Sequence, residues 1–542
     1  MSLCRLRPAR KGPIDRGVGK RRYHRLMKLL RHAGAVALAA QLAGCATAGG
    51  PFRCPATGGP PWRELRSDHF VLRTDLDHEG AAELVRQLEI MRAAVKEALF
   101  VGAADPPGIV EVIAFRTVEE YQPFAPEGAQ AYYLRYEGGP PRIVLSADWT
   151  SRQRAVVAHE LTHHLASSIL LRQPRWLSEG LAAYMESLGE QRLERTLVVG
   201  VPPRGRLAVA REQPVEVRDL LGWESGSPAL PGPEYYATAW LLVHYLVHQR
   251  AEAFADFLGR LSRGEALDAA WNAALPAYHL DRPLWTLDRA LSRWLQANTL
   301  DPALEGPERS LRYWPRAQGV VLRTIHVAPD LRFAEQAMPP VEVHALRIAL
   351  FPQGPGAETA VLRAEVAEAL HEDPAHPIAL AAHARLDGAE PLPLARSSVK
   401  AHPDDPRAWT FLAQSLRGPR AAGERAVAYQ RAVELAPDNA AALHNLGTEL
   451  LDQGRSGEAL PPMRRAAWLA PWSPAVLDRY AAVLADVGRC ADAARTQRQA
   501  LDVLLEQAAA KTRDEMQARL EEYRRRCATP GAAPPPGEEV RK

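Results

Sequence analysis

Pro403, Pro437 and Pro471 stand 34 residues apart. So regular a spacing commits that part of the chain to a stack of like supersecondary units, because one helical hairpin cannot bury its apolar face until a neighbour covers it. The positions between the prolines repeat in kind. Gly447, Ala459 and Ala466 are the small residues of the middle unit; Trp409, Leu412, Tyr429 and Ala432 fill the corresponding places before it, and Leu477, Ala481, Ala493 and Ala500 those after it. Read on residues alone, the alternative is an Ala-rich helical bundle without true repeats.

The pattern resembles the tetratricopeptide repeat, which would make residues 371–527 an all-α solenoid with a capping helix, followed by a disordered tail over 528–542. Three units are assigned, and one or two more are expected within 360–400, where Asp373-Pro374 resembles a decayed unit end. Arg425 departs from the family, which prefers Ala there, and the third unit lacks its closing proline.

The formal charge of +3 conceals an asymmetry, since residues 1–44 hold 11 Lys or Arg and one Asp, leaving 3 − 10 = −7 for the rest. That remainder carries no nucleic-acid footprint, so no nucleic-acid partner is expected. Met27 to Arg31 is a short basic segment leading into the apolar run Ala33 to Leu42, too short to span a bilayer. The run ends in Leu42-Ala43-Gly44-Cys45, which resembles the lipobox of bacterial lipoproteins and implies lipidation of Cys45. Residues 1–26 then read as a mis-called start or a disordered lead, and 1–44 as the signal segment. Ala46, where an Asp would favour inner-membrane retention, implies by the same resemblance the outer membrane, facing the periplasm.

Gly- and Pro-rich residues 45–61 read as a tether. With 47% hydrophobic and 24% charged residues the chain has material for a large core, and folding is expected to begin near Trp62. Alternation predicts strands at His69–Thr74, Ile109–Phe115, around Tyr132 and at Arg142–Ser146, with a helix over Glu79–Leu99. Ser151 to Asn298 reads as all helix, and 299–370 as a linker grading into degenerate helices. The predicted fold class is α+β: a domain over 62–298, with a mixed sheet followed by helices, ahead of the solenoid.

His159-Glu160-Leu161-Thr162-His163 lies in the helical segment that opens after the fourth strand. Histidines at i and i+4 project from one helix face, one turn apart, so both imidazoles can reach a single zinc ion, while Glu160 can reach a water beside it. A catalytic zinc needs a third protein ligand and one open position. The helix Pro174-Arg175-Trp176-Leu177-Ser178-Glu179-Gly180-Leu181-Ala182-Ala183-Tyr184 offers a carboxylate.

An H-E-x-x-H helix followed by a W-L-x-E-G-x-A-x-Y helix resembles the gluzincin metallopeptidases, in particular the peptidase-MA-like proteins, over about residues 62–298. The resemblance implies a zincin-like fold, Zn2+ as cofactor, His159, His163 and Glu179 as ligands and Glu160 as general base. It also implies an oxyanion donor from a later helix, for which Tyr236 is preferred over Tyr184 and Tyr235; a tyrosine simply packed in the core is the competing reading. The strand Arg142–Ser146 would be an edge strand that pairs with extended substrate, or an ordinary edge strand. Glu186, seven residues past Glu179, could orient a ligand histidine or be a surface glutamate. His164 points away from His163 and reads as supporting the site or facing solvent, while His244 and His248 read as core packing rather than a second metal site.

Beyond Cys45, the cysteines Cys54, Cys490 and Cys527 lie in a compartment that permits disulfides. An antiparallel return of the last helix, Lys511–Arg526, brings Cys527 back toward Cys490, so a Cys490–Cys527 bond is expected, with two free thiols as the alternative. The expected function is hydrolysis of peptide bonds in the cell envelope, with a protein or peptide substrate, a protein partner on the repeats and the membrane reached through lipid. The alternative is an inactive zincin-fold scaffold whose repeats assemble an envelope complex.

Overall fold

The computed structural model describes residues 58–126, 131–134, 140–146, 150–191, 196–200, 204–223, 232–297, 321–323, 332–351, 359–504 and 510–528, with Pro55 and Ala129 besides. The signal segment with Cys45, most of the tether with Cys54, and the tail lie outside the described residues. The described residues are mostly helical, with two small sheets whose strands all lie before Pro340.

Six strands form the main sheet in the order β4-β5-β3-β2-β1-β9. They are β1 (Arg63–Arg66), β2 (Phe70–Thr74), β3 (Val110–Phe115), β4 (Ala131–Leu134), β5 (Arg142–Ser146) and β9 (Ala334–Ala337). β2, β3 and β5 run parallel, and their near-continuous apolar runs suit strands covered on both faces. Helix α1 (His78–Leu99) crosses over between β2 and β3, capped by Asp77 and burying Leu84, Val85, Leu88 and Val95.

Three expectations are corrected. Arg142–Ser146 is not an edge strand: it is flanked by β3 and by β4, which pairs antiparallel with it from Ala131↔Leu145 to Leu134↔Arg142 and stands last in the order. Residues 151–298 are not all helical. β6 (Gly189–Gln191) and β7 (Thr196–Val199) form a second sheet with β8 (Val321–Arg323), and β7 is followed by Gly200, whose φ of 91° favours glycine. Nor is 299–370 only a linker grading into degenerate helices, because β9 closes the main sheet against β1, tied by Arg63–Glu335 at 2.6 Å and Met338 N–H to Trp62 O at 2.9 Å.

The helices that carry the candidate site are α2 (Ser151–Ile169), α3 (Arg175–Met185), α4 (Arg204–Glu212) and α5 (Pro233–Gln249), backed by α6 (Ala251–Ser262), α7 (Leu267–Ala274) and α8 (Trp285–Ala297). From Pro340 onward the described residues stack as helical hairpins: α9 (Pro340–Leu350) with α10 (Thr359–Glu372), α11 (Pro377–Asp387) with α12 (Pro391–Ala401), α13 (Pro406–Ser415) with α14 (Ala422–Leu435), α15 (Ala440–Asp452) with α16 (Ser456–Leu469), and α17 (Pro474–Asp486) with α18 (Cys490–Asp502). The cap α19 (Ala510–Ala528) follows. Gly447 lets α15 meet α16 closely, since a Cβ there would overlap the Met463 side chain. Arg425 forms a two-pronged pair with Glu449 of the next hairpin at 2.5 and 2.9 Å, so a charge link takes the place of small-residue packing.

Cys490 and Cys527 are disulfide-bonded, with Cα atoms 5.6 Å apart, fastening α19 to the last hairpin. The bond closes a span of 37 residues. A crosslink of that reach stabilises by roughly 4 kcal/mol if its effect is on chain entropy. Cys490→Ser with Cys527→Ser is therefore expected to lower the urea midpoint of the repeat half in non-reducing buffer and to abolish its response to reductant. An unchanged midpoint would mean that α19 holds by its apolar face alone.

Candidate metal centre

Helix α2 is aimed by its first turn. Thr150 and Gln153 form a capping box, and Gln153, buried, donates through Nε2 to Ser146 O and Oγ at 2.9 and 2.8 Å, locking the helix start to the end of β5. Val157, Ala158, Leu161 and Leu165 are buried in the core, which leaves His159, Glu160 and His163 on the partly open face. Helix α3 is buried along most of its length and presents Glu179 to that face.

His159 Nε2 and His163 Nε2 stand 3.1 Å apart, and each is 3.8 Å from Glu179 Oε2. Among the described residues this trio is a group whose donor atoms all lie within 4.8 Å of one another. The second polar atom of each side chain is committed outward. His159 Nδ1 meets Glu186 Oε1 at 2.9 Å, His163 Nδ1 meets Ser178 Oγ at 3.0 Å, and Glu179 Oε1 receives the Arg175 guanidinium at 3.0 Å. Glu186 is in turn held by Arg206 at 2.5 and 3.2 Å.

These contacts fix protonation. Burial pushes the Glu186 carboxyl up, but hydrogen bonds from His159 and Arg206 outweigh it and hold the group below its ordinary range, so it is an acceptor. His159 must then donate from Nδ1, which turns the other ring nitrogen inward. Burial opposes a charge on His159, yet Glu186, Glu160 and Glu179 together raise its pKa. Two imidazole nitrogens and a carboxylate oxygen converge in a place that calls for a cation, a proton or a metal. Zinc ligands at about 2.0–2.2 Å in a tetrahedron lie roughly 3.3 Å from one another, and the observed 3.1 and 3.8 Å bracket that, so the residues present fit zinc.

The structure thus brings His159, His163, Glu179 and Glu186 together, with Glu160 close enough to bear on the charge of His159. Tyr236 lies at the start of α5, its ring edge-on to Trp223 at 5.1 Å; Tyr235 packs on the same indole, and Arg175 lies over it at 5.8 Å. Tyr184 is turned elsewhere, its hydroxyl 3.2 Å from His248 Nε2. His244 is buried with both ring nitrogens engaged, donating to Gly200 O at 2.8 Å and accepting from Trp294 Nε1 at 2.9 Å, and burial drops its pKa to about 3. His164 does not face solvent: it is buried with its ring 5.1 Å from Trp472, in the turn between α16 and α17.

Sequence reading missed Ser178, Arg175 and Arg206. Arg175 sits four residues before Glu179 on one helix, a spacing that could have flagged it; Arg206 arrives from a separate helix, α4, and carried no signal. Removing a carboxylate that orients a metal-binding histidine costs about 10- to 100-fold in metal affinity. Glu186→Ala is expected to fall in that range by competitive chelator titration, and a Kd within twofold of wild type would reduce Glu186 to a surface acid.

Residues 153–268 match a family described as protein of unknown function (DUF1570), and residues 428–460 match a tetratricopeptide repeat family. The stacked hairpins are tetratricopeptide-like repeats. Comparison with curated proteins finds no match. Similar solved structures include a thermophilic tetratricopeptide repeat protein of Thermus thermophilus, at 18% identity over 34% of this chain and 96% of that one, TM-score 0.25. Others are PilW, a type IV pilus biogenesis factor, at 18% identity over 34% and 92%, TM-score 0.26, and PilF of Pseudomonas aeruginosa, at 18% over 35% and 87%, TM-score 0.28.

Proposed function

We propose that this chain is a zinc-dependent peptidase of the gluzincin type, with a zincin-like catalytic half and a repeat half that recruits a protein substrate or partner. The observation that carries the reading is the convergence of His159 Nε2, His163 Nε2 and Glu179 Oε2, with the far atoms of all three side chains engaged by Glu186, Ser178 and Arg175.

Zinc held there would polarise a peptide carbonyl and bring the pKa of water toward neutrality. Glu160 takes the proton from the attacking water and delivers it to the departing amine as the C–N bond breaks. Glu186 keeps His159 in the tautomer whose Nε2 faces the site, and Arg175 neutralises one oxygen of Glu179 while leaving the other inward. Tyr236 is the donor assigned to the developing oxyanion. An extended substrate adds to the outer edge of β4, the terminal strand of the sheet. Among the described residues no helix is long and apolar enough to cross a membrane, and the envelope location, on the outer membrane facing the periplasm, rests on lipid at Cys45.

The test is digestion of casein or a peptide library by zinc-loaded wild type and Glu160→Gln. Turnover is expected to fall by about 10²- to 10⁴-fold in the variant, with zinc content unchanged. Zinc binding without cleavage that depends on Glu160 would instead favour a scaffold built on this fold.

A further inference from the structure

Arg175 stands at the end of a helix that disfavours a cation. It is the first residue of α3, which follows Pro174 and has no side-chain cap, so its guanidinium lies at the positive end of the helix dipole. Its pair with Glu179, at 3.0 Å, places the cation before the anion, the weaker order for residues four apart on a helix. Both effects oppose the contact that holds the outer oxygen of the third candidate ligand. The Trp223 indole offsets them: Arg175 Cζ lies 5.8 Å from the centre of its ring, and the negative face of an indole attracts a guanidinium at that range.

Trp223 is itself fixed. Its backbone N–H donates to Leu220 O at 3.0 Å, just past the short helix Val217–Leu221. That helix is tied to α8, because Val217 N–H donates to Asp288 Oδ1 at 2.8 Å. Tyr235 and Tyr236, at the head of α5, meet the indole edge-on with ring centroids 5.5 and 5.1 Å away. Two tyrosine rings packed so against one buried indole set its plane. The face it turns to Arg175 is therefore a rigid surface, on which a long and otherwise mobile side chain can be held one helical turn from Glu179.

We infer that Trp223 is a positioning residue of the candidate metal centre. Its ring keeps the Arg175 guanidinium where it engages Glu179 Oε1, which leaves Glu179 Oε2 turned toward His159 and His163. Trp223 acts on the ion through Arg175. The inference rests on reading the trio as a zinc site and makes no use of peptide cleavage.

The experiment is competitive chelator titration of zinc on the full-length protein and a cycle of variants. Trp223→Leu keeps apolar bulk without an aromatic face, whereas Trp223→Phe keeps the face. The leucine variant is expected to bind zinc about 3- to 30-fold more weakly than wild type, and the phenylalanine variant to recover most of that loss. Arg175→Gln is expected to weaken binding by about 10- to 100-fold. Adding Trp223→Leu to Arg175→Gln is expected to cost less than about twofold more, since the guanidinium that the ring held is gone. Should Trp223→Leu fail to fold by thermal unfolding, Trp223→Met carries the same comparison. Equal losses in the leucine and phenylalanine variants, or a loss from Trp223→Leu that is the same with and without Arg175, would reduce the indole to core packing and overturn the inference. Wild type that takes up no zinc would instead remove the metal reading beneath it, an outcome distinct from zinc binding without coupling.

Discussion

Alanine at His159, His163 or Glu179 is expected to strip the purified protein of tightly bound zinc, a loss larger than the about 10- to 100-fold assigned to Glu186→Ala. Each supplies one of three inward atoms, and removal leaves two, too few to hold the ion against buffer and chelator. The same trio gives the binding a pH dependence whose sign can be worked out. The carboxylates around His159 raise its pKa above the ordinary value, so in the metal-free protein a proton is retained there and contributes stability below about pH 6.5 that is lost as pH rises through the raised value. Zinc must displace that proton, and its affinity is therefore expected to weaken as pH falls through the same window. Elemental analysis of the three variants, with chelator competition between about pH 5 and pH 8 on wild type, checks both statements. Full zinc content in Glu179→Ala would put the third ligand elsewhere.

Gly180→Ala is expected to cost stability and zinc together, although the residue touches no metal. A Cβ at this position would lie 2.6 Å from Val243 Cγ2 and 2.7 Å from Ala239 O, both on α5. A carbonyl oxygen on a buried helix cannot swing aside as a side chain end can. Helix α3 must move off α5, at a cost of about 1–3 kcal/mol or somewhat more, and Glu179, the preceding residue, moves with it. Thermal unfolding and zinc titration of the variant should both worsen; a variant indistinguishable from wild type would mean that the two helices slide apart freely.

The trio and its spacing were legible because they are local: two histidines one turn apart, and a carboxylate on the next helix. Glu186 could be suspected from its place on the same helical face as Glu179. The side chains that hold the trio from behind were harder to see, since Arg206 meets Glu186 only after two strands intervene. The repeats were legible through their 34-residue prolines, but the first hairpin, α9 and α10, has no such marker; it holds through a buried cluster in which Glu365 binds His344 at 2.7 Å and Arg347 at 2.6 Å. Least legible was β9. Ala-Glu-Gln-Ala, exposed along its whole length, has neither alternation nor β-branched residues, and it is a strand because β1 offers it backbone partners. The burial of His164 escaped the sequence for a similar reason, because Trp472, against which its ring packs, is far away in sequence and no local pattern announces it.

The pairing of β9 with β1 sets a clock on how this molecule comes into being. Arg63 and Glu335 meet across 272 residues of sequence. A chain emerging at ~5–20 residues per second leaves the flank of β1 open for roughly 15–50 s. Through that time the nascent sheet offers a row of unsatisfied amides and carbonyls to any other extended segment it meets. The helices that carry His159, Glu160, His163 and Glu179 are synthesised long before the sheet behind them can close. A fragment ending near residue 300 would carry every atom of the candidate centre and still present an open seam to its neighbours, so aggregation of such a fragment would report on the missing strand and not on the chemistry.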